Sequence, residues 1–128
     1  MNFKELQVWQ KSMELVSEVY KLTKLFPKQE VYALASQMQR SAVAIPSNIA
    51  EGHRRNHKLE FIQFLGIALG SAAELETQIL ISEEQYPDFE YKKAKDLLNE
   101  VQSMLVVMIK KLKDTHSALR AHPSALSK

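Results

Sequence analysis

The sequence predicts an all-α protein, one up-down-up-down antiparallel four-helix bundle, and three observations carry that expectation. Apolar residues recur at spacings of three and four through most of the chain. Only 3 glycines and 4 prolines occur in 128 residues, too few for the many turns of a β protein. The breaks between periodic segments are short, which makes consecutive helices antiparallel neighbours. Composition agrees, since 45% hydrophobic and 25% charged residues are globular proportions and the length suffices for one core.

The first helix is expected over about 6–26. Trp9, Met13, Val16 and Tyr20 form one stripe, Val8, Leu15, Val19, Leu22 and Phe26 an adjoining one, and Pro27 stops it. The second spans about 29–54, with Val31, Leu34, Met38, Ala42, Ile45 and Ile49 in phase. Pro46 interrupts its hydrogen bonding without disturbing that phase, so a helix kinked at Pro46 is expected, with Gly52 as its C-cap. The third spans about 57–85, through Phe61, Phe64, Leu65, Ala68, Ala72, Leu75 and Ile79, and closes at Tyr86-Pro87-Asp88. The fourth spans about 89–116, N-capped by Asp88, through Ala94, Leu97, Leu98, Val101, Leu105, Met108 and Leu112. The bundle thus occupies 1–116, and 117–128, without a sustained period, are expected as a flexible tail.

Several stripes are wider than one bundle needs. Val106, Val107 and Ile109 widen the fourth helix, and Gly66 and Gly70 sit one turn apart in the third, where glycine costs about 1 kcal/mol relative to alanine. Two such glycines call for close approach of another backbone, within the bundle or from another subunit. The excess apolar width favours self-assembly.

Chemistry is excluded more sharply than it is suggested. Cysteine is absent, which removes disulfides, thiolate metal sites and a thiol nucleophile. Carboxylate-bridged metal sites in bundles use Glu-x-x-His, yet Ala50, Arg54, Lys113 and Leu119 stand three residues before His53, His57, His116 and His122. HExxH and His-x-Glu patterns are missing, and Gly66 and Gly70 lack the Lys-Ser/Thr of a phosphate loop. A non-enzymatic protein without cofactor, metal or small-molecule substrate is expected. No uninterrupted run of about eighteen apolar residues occurs and the first residues lack a signal-peptide h-region, so no membrane span and a cytoplasmic location are expected.

One stretch is more specific than any periodicity: Gln37-Met38-Gln39-Arg40-Ser41-Ala42-Val43-Ala44-Ile45-Pro46-Ser47-Asn48-Ile49-Ala50-Glu51-Gly52. It resembles the signature of the 23S rRNA intervening-sequence proteins, a bacterial family of four-helix bundles. Leu6-Gln7-Val8-Trp9-Gln10-Lys11 is similar to the family's opening, and Phe26-Pro27, Glu30 and Tyr32 to its first connection. Phe64-Leu65, Ala68, Gly70-Ser71, Glu74, Glu76-Thr77 and Gln78 are similar to its third helix. The resemblance implies a left-handed bundle assembled as a homopentamer. It also implies kinship with the accessory protein of diversity-generating retroelements, a strongly basic pentamer that binds nucleic acid. The net charge here is only +2.

Two groups of residues are candidate sites. Arg40, Ser47, Asn48 and Glu51 lie on the second helix and Glu74, Thr77 and Gln78 on the third; antiparallel packing brings Asn48 and Glu51 toward the start of the third helix and Arg40 level with Glu74. A structural hydrogen-bonded network around Pro46 is the favoured reading over a ligand or RNA pocket, with Asn48 bonding backbone beside the proline. The second group is basic. The connection between helices 2 and 3 shares an end with the start of helix 1 and the end of helix 4, gathering Lys4, Lys11, Arg54, Arg55, Lys58, Lys110, Lys111 and Lys113. Glu5, Glu51, Glu60 and Asp114 oppose them, and the other end nearly cancels. Repeated around a ring, such an end suits phosphates; lysines near helix C-termini also simply offset the macrodipole. A self-assembling scaffold, probed by its oligomeric mass, is the leading expectation, and nucleic-acid binding through Arg54, Arg55, Lys58, Lys110, Lys111 and Lys113 the alternative.

Overall fold

A computed structural model describes residues 2–121. A 3-10 turn at Phe3–Glu5 leads into α1 (Gln7–Thr23), and a second turn at Lys28–Glu30 precedes α2 (Leu34–Arg54). Then come α3 (Lys58–Gln85) and α4 (Lys92–Ala121). Each helix packs on its sequence neighbours and α1 closes on α4, while the diagonal pairs do not meet. That is the expected up-down bundle. Cross-helix pairs confirm the directions. Lys95–Glu83 and Gln102–Glu76 run oppositely along α4 and α3, as do Lys11–Glu100 and Lys93–Glu18 along α1 and α4.

One core runs the length of the bundle, from Val8, Leu15, Val19 and Leu22 on α1, through Met38, Ala42, Ile45 and Ile49 on α2, to Leu65, Ala68, Leu75, Ile79, Leu98, Val101 and Leu105. On α1 the Val8–Leu15–Val19–Leu22 stripe is the buried one. Met13 and Tyr20, on the other expected stripe, stay 43% and 40% exposed. Two adjoining apolar stripes cannot both face the axis of a four-helix bundle; Trp9 and Val16 of the second stay half-buried against the core while Met13 and Tyr20 turn outward.

The boundaries differ at four places, and α1 is the first: it ends at Thr23 rather than 26, with 24–26 in a turn ahead of Pro27. Residues 28–33 form turns, so α2 starts at Leu34 rather than 29. Val31 consequently leaves the core at 49% exposure, and Tyr32 stands out at 95%. Asp88 does not cap α4. The Tyr91 carbonyl accepts from Lys95, the Glu90 carboxylate accepts from the Lys92 N–H at 2.8 Å, and the helix begins at Lys92. Tyr91 itself is buried, its hydroxyl 2.8 Å from that of Ser82 and within reach of the Ser82 and Tyr86 carbonyls. At the other end α4 continues through Ala121, where a tail was expected from 117, because Leu112, His116 and Leu119 prolong its half-buried stripe. The rest of the expected tail, 122–128, lies outside the described residues.

Gly52 is no C-cap. It is buried inside α2, and a Cβ there would lie 2.6 Å from the Cβ of Phe64. Its role is the close approach of α2 to α3. The helix is ended instead by Asn56, whose φ of 51° supplies the left-handed closing residue. Through Pro46, α2 stays helical on both sides, and the proline ring is buried. Ser47 donates to the Val43 carbonyl at 2.8 Å and Asn48 to that of Ala44 at 2.8 Å, local side-chain bonds flanking the missing backbone bond.

Candidate functional site

The expected polar network between α2 and α3 does not form around Pro46. The signature reaches other helices through the Gln39 side-chain amide, which donates to the Thr23 hydroxyl of α1 at 3.0 Å, and through Arg55, which joins Glu51 to Glu60 of α3. Ser47 and Asn48 bond only their own helix, and Glu51 pairs with Arg55 one turn on, at 2.9 Å. Arg40 and Glu74 are both exposed and, among the described residues, neither has an ion-pair partner, so the expected cross-helix bridge is not made. Thr77 donates to the Ala73 carbonyl at 3.1 Å, again within its helix. Gln78 is half-buried, with its side-chain oxygen shielded and unpaired. The physical cause is orientation: residues level on adjacent helices meet only if both lie on the shared face, and Arg40 and Glu74 lie on outer ones.

The basic end is assembled, but its cations are not equivalent. Arg55 is committed to Glu51 at 2.9 Å and Glu60 at 3.5 Å, with its guanidinium 5.2 Å from the Phe64 ring centroid. Arg54 lies 5.4 Å over the ring of Phe3, which the turn before α1 carries there, and has no ion-pair partner among the described residues. Lys11 is drawn along the bundle toward Glu14 and Glu100. Lys4, Lys58, Lys110, Lys111 and Lys113 have no acidic partner among the described residues. Arg120 joins them. Its position was assigned to the tail, yet the α3–α4 register set by Lys95–Glu83 and Gln102–Glu76 brings it level with Lys58. The signal was present in the sequence as the Leu112, His116 and Leu119 spacing. Lys110, Lys113 and Arg120 share one stripe of α4 with Val106.

Away from that end the charges pair. Glu18, half-buried, lies 3.2 Å from both Lys21 and Lys93. Burial pushes its carboxyl up, but the two ammonium groups outweigh it and hold the pKa below the ordinary carboxylate range. Tyr86 donates to Glu30 at 2.9 Å, tying the α1–α2 connection to the end of α3. Partial desolvation and that carboxylate hold the phenol above its usual range.

The concavities are shallow. The most apolar, about 530 Å³, lies between the start of α1 and the later half of α4, lined by Val8, Met104, Val107, Met108 and Leu112 with Lys111 at its edge. Among the described residues no three His, Asp or Glu side chains converge as a metal site would require.

The exposed apolar surface is more distinctive than any cleft. Leu59, Ile67, Leu80 and Ile81 on α3 are between 44% and 50% exposed, and Val106 and Val107 on α4 are 53% and 50% exposed. Gly66 and Gly70 open onto this surface, and a Cβ at either would meet no atom within 4 Å. Close approach of another backbone within the bundle, one of the two expectations for these glycines, is therefore not their role. In length and mean hydropathy, 1.3 over eighteen residues, α3 also meets the criteria of a membrane-crossing helix, although only 33% of that window is buried in the bundle. The expectation of no such segment rested on an uninterrupted apolar run, which the scattered Gln and Glu residues of α3 deny it.

Comparison with known proteins agrees with the architecture. A crystal structure of a protein of unknown function from the S23 ribosomal protein family of Bacteroides thetaiotaomicron superposes with a TM-score of 0.73 at 27% identity. The match covers 80% of this chain and 98% of that one. No curated protein matches the sequence. Residues 4–107 match the family model described as 23S rRNA-intervening sequence protein, a stretch that contains α1, the Pro46 signature, the glycine-bearing helix and most of α4. The chain belongs to the 23S rRNA-intervening sequence protein family.

Proposed function

We propose that this protein is a non-enzymatic, self-assembling helical scaffold, a homopentamer whose copies bury the apolar surface that the single chain leaves open. One observation carries the reading: Ile67 lies exposed on α3 beside two glycines with vacant space before them, with Leu80 and Ile81 exposed further along the same helix and Val106 on the adjoining α4. Scattered exposed apolar residues are ordinary, but several on the outer faces of two adjoining helices, beside open glycines, support an interaction surface. The number five comes from the family resemblance. Light scattering coupled to size exclusion tests it: five times the 14.7 kDa chain mass is expected at micromolar concentration, and a single-chain mass overturns the reading.

A second reading has its own support. Lys4, Arg54, Lys58, Lys113 and Arg120 gather at one end with no ion pair among the described residues, and a ring would repeat them into a basic rim. Such a rim suits the phosphates of RNA or DNA, read by charge rather than base, since no exposed aromatic interleaves it. Binding to an RNA duplex is expected to weaken steeply with salt. Lys58→Ala with Arg120→Ala is expected to flatten the slope of log affinity against log salt by about 0.9 for each phosphate no longer neutralised. No affinity at low salt, or an unchanged slope, removes this reading.

A further inference from the structure

We propose that the outer face of α3 receives the α4 ridge of a second copy of this chain, head to tail. This rests on the self-assembly reading and adds which faces meet. The α3 stripe Ile67, Gly70, Glu74, Thr77, Ile81, Glu84 is flattened at Gly70, and Glu74 and Glu84 have no ion-pair partner among the described residues. The α4 stripe Val106, Lys110, Lys113 is its opposite in both respects, a branched ridge followed by unpaired cations. A glycine-floored groove accepts a β-branched side chain, and Glu74 comes toward Lys110, whereas two parallel α3 faces would set Glu74 and Glu84 near their own copies.

Height along the bundle agrees. The register of Lys95–Glu83 and Gln102–Glu76 places Val106 and Val107 level with Ser71 and Ala72, between Gly70 and Ala73. Copies related by rotation about an axis parallel to the helices sit at one height, so ridge and groove meet without sliding. Lys110 then lies about 9 Å along the axis from Glu74 by helical rise. Side chains lean toward the N-terminus of their own helix, and on antiparallel helices these two lean toward each other. The contact joins two different faces, so each copy offers one of each, and a rotation that closes gives a ring. It also withdraws Lys110 from the basic end.

The test is complementation between two blocked chains. Gly70→Arg fills the α3 groove at a position where the single chain has free space, and Val106→Glu blocks the α4 stripe at an exposed position. Each variant alone is expected to keep its helical circular dichroism and run as one 14.7 kDa chain, while their mixture gives a 1:1 complex of twice that mass. Retention of the wild-type mass by either variant overturns the assignment of faces and leaves self-assembly standing. Monomers that do not pair on mixing overturn the head-to-tail contact. A monomeric wild type overturns both proposals. Should a blocked variant fail to fold, charge reversal serves instead: Glu74→Lys weakens association, and adding Lys110→Glu to the same chain restores it, or the contact is wrong. Co-flotation of wild type, but not Gly70→Arg, with phosphatidylcholine vesicles assigns the face to lipid and overturns the proposal.

Discussion

Glu18 shows how one side chain couples α1 to α4. It is 16% exposed, and its carboxylate is shared by Lys21 on its own helix and Lys93 across the interface, both at 3.2 Å. A carboxyl held below its ordinary value of 4.5 in the folded chain stabilises the fold above that value and loses the contribution as pH falls through the folded pKa. Glu18→Gln is therefore expected to cost about 0.5 kcal/mol at neutral pH, the scale of partly exposed ion pairs. In urea titrations repeated at decreasing pH, the gap from wild type should close in the acid range, below 4.5. A gap that persists unchanged at low pH shows the loss to be one of packing rather than charge. Arg55 makes a related point about reading charge from sequence. It counts as a free cation until Glu51, Glu60 and Phe64 are seen around it.

At the scale of elements, the three glycines divide into two kinds, though all lie in helices. Gly52 is pressed against Phe64, and its Cβ would sit 2.6 Å from another Cβ. Gly52→Ala must push α2 from α3, at about 1–3 kcal/mol. Gly66 faces open space, and Gly66→Ala in the dissociated chain should gain up to about 1 kcal/mol of helix propensity. Chemical denaturation of the two variants side by side is the check. Opposite signs are expected, and a loss at Gly66 would mean that its helix face is already covered. The same division explains why Pro46 is tolerated. The apolar phase of α2 carries on past it, from Ala42 through Ile45 to Ile49, so burial on both sides outweighs one missing backbone bond.

For the whole molecule, the uncovered surface decides behaviour. If copies cover one another's α3 and α4 faces, stability is shared between folding and association. The thermal midpoint is then expected to rise with protein concentration, as binding to the native state alone requires. Differential scanning fluorimetry over a hundredfold range of concentration measures this, and a midpoint independent of concentration would count against assembly. The proposed assembly would also account for the composition of α3. A helix that packs against neighbours on most of its circumference is apolar nearly all round, which is why it carries the hydropathy of a membrane span with 33% of the window buried in one chain.

The sequence by itself determined that there are four helices, their order and antiparallel course, the buried stripes of α2 and α3, and the family. These follow from period and spacing, which act within a segment and need no knowledge of where other segments lie. Which of the two α1 stripes faces inward was not legible, because both have helical spacing and only the positions of α2 and α4 choose Val8, Leu15 and Val19 over Met13 and Tyr20. The start of α2 differs from the sequence expectation because turn formation at 31–33 overrides the apolar period, whereas the end of α4 follows a Leu112, His116 and Leu119 spacing that was present in the sequence. The basic end was legible as a count of charges; its free members, Arg54, Lys58 and Arg120, were not, since partners come from other helices. Tertiary structure decided those matters for one reason. Whether an ion is paired, a stripe buried or a glycine pressed depends on what stands opposite, and only the packed bundle brings the opposite residue into place.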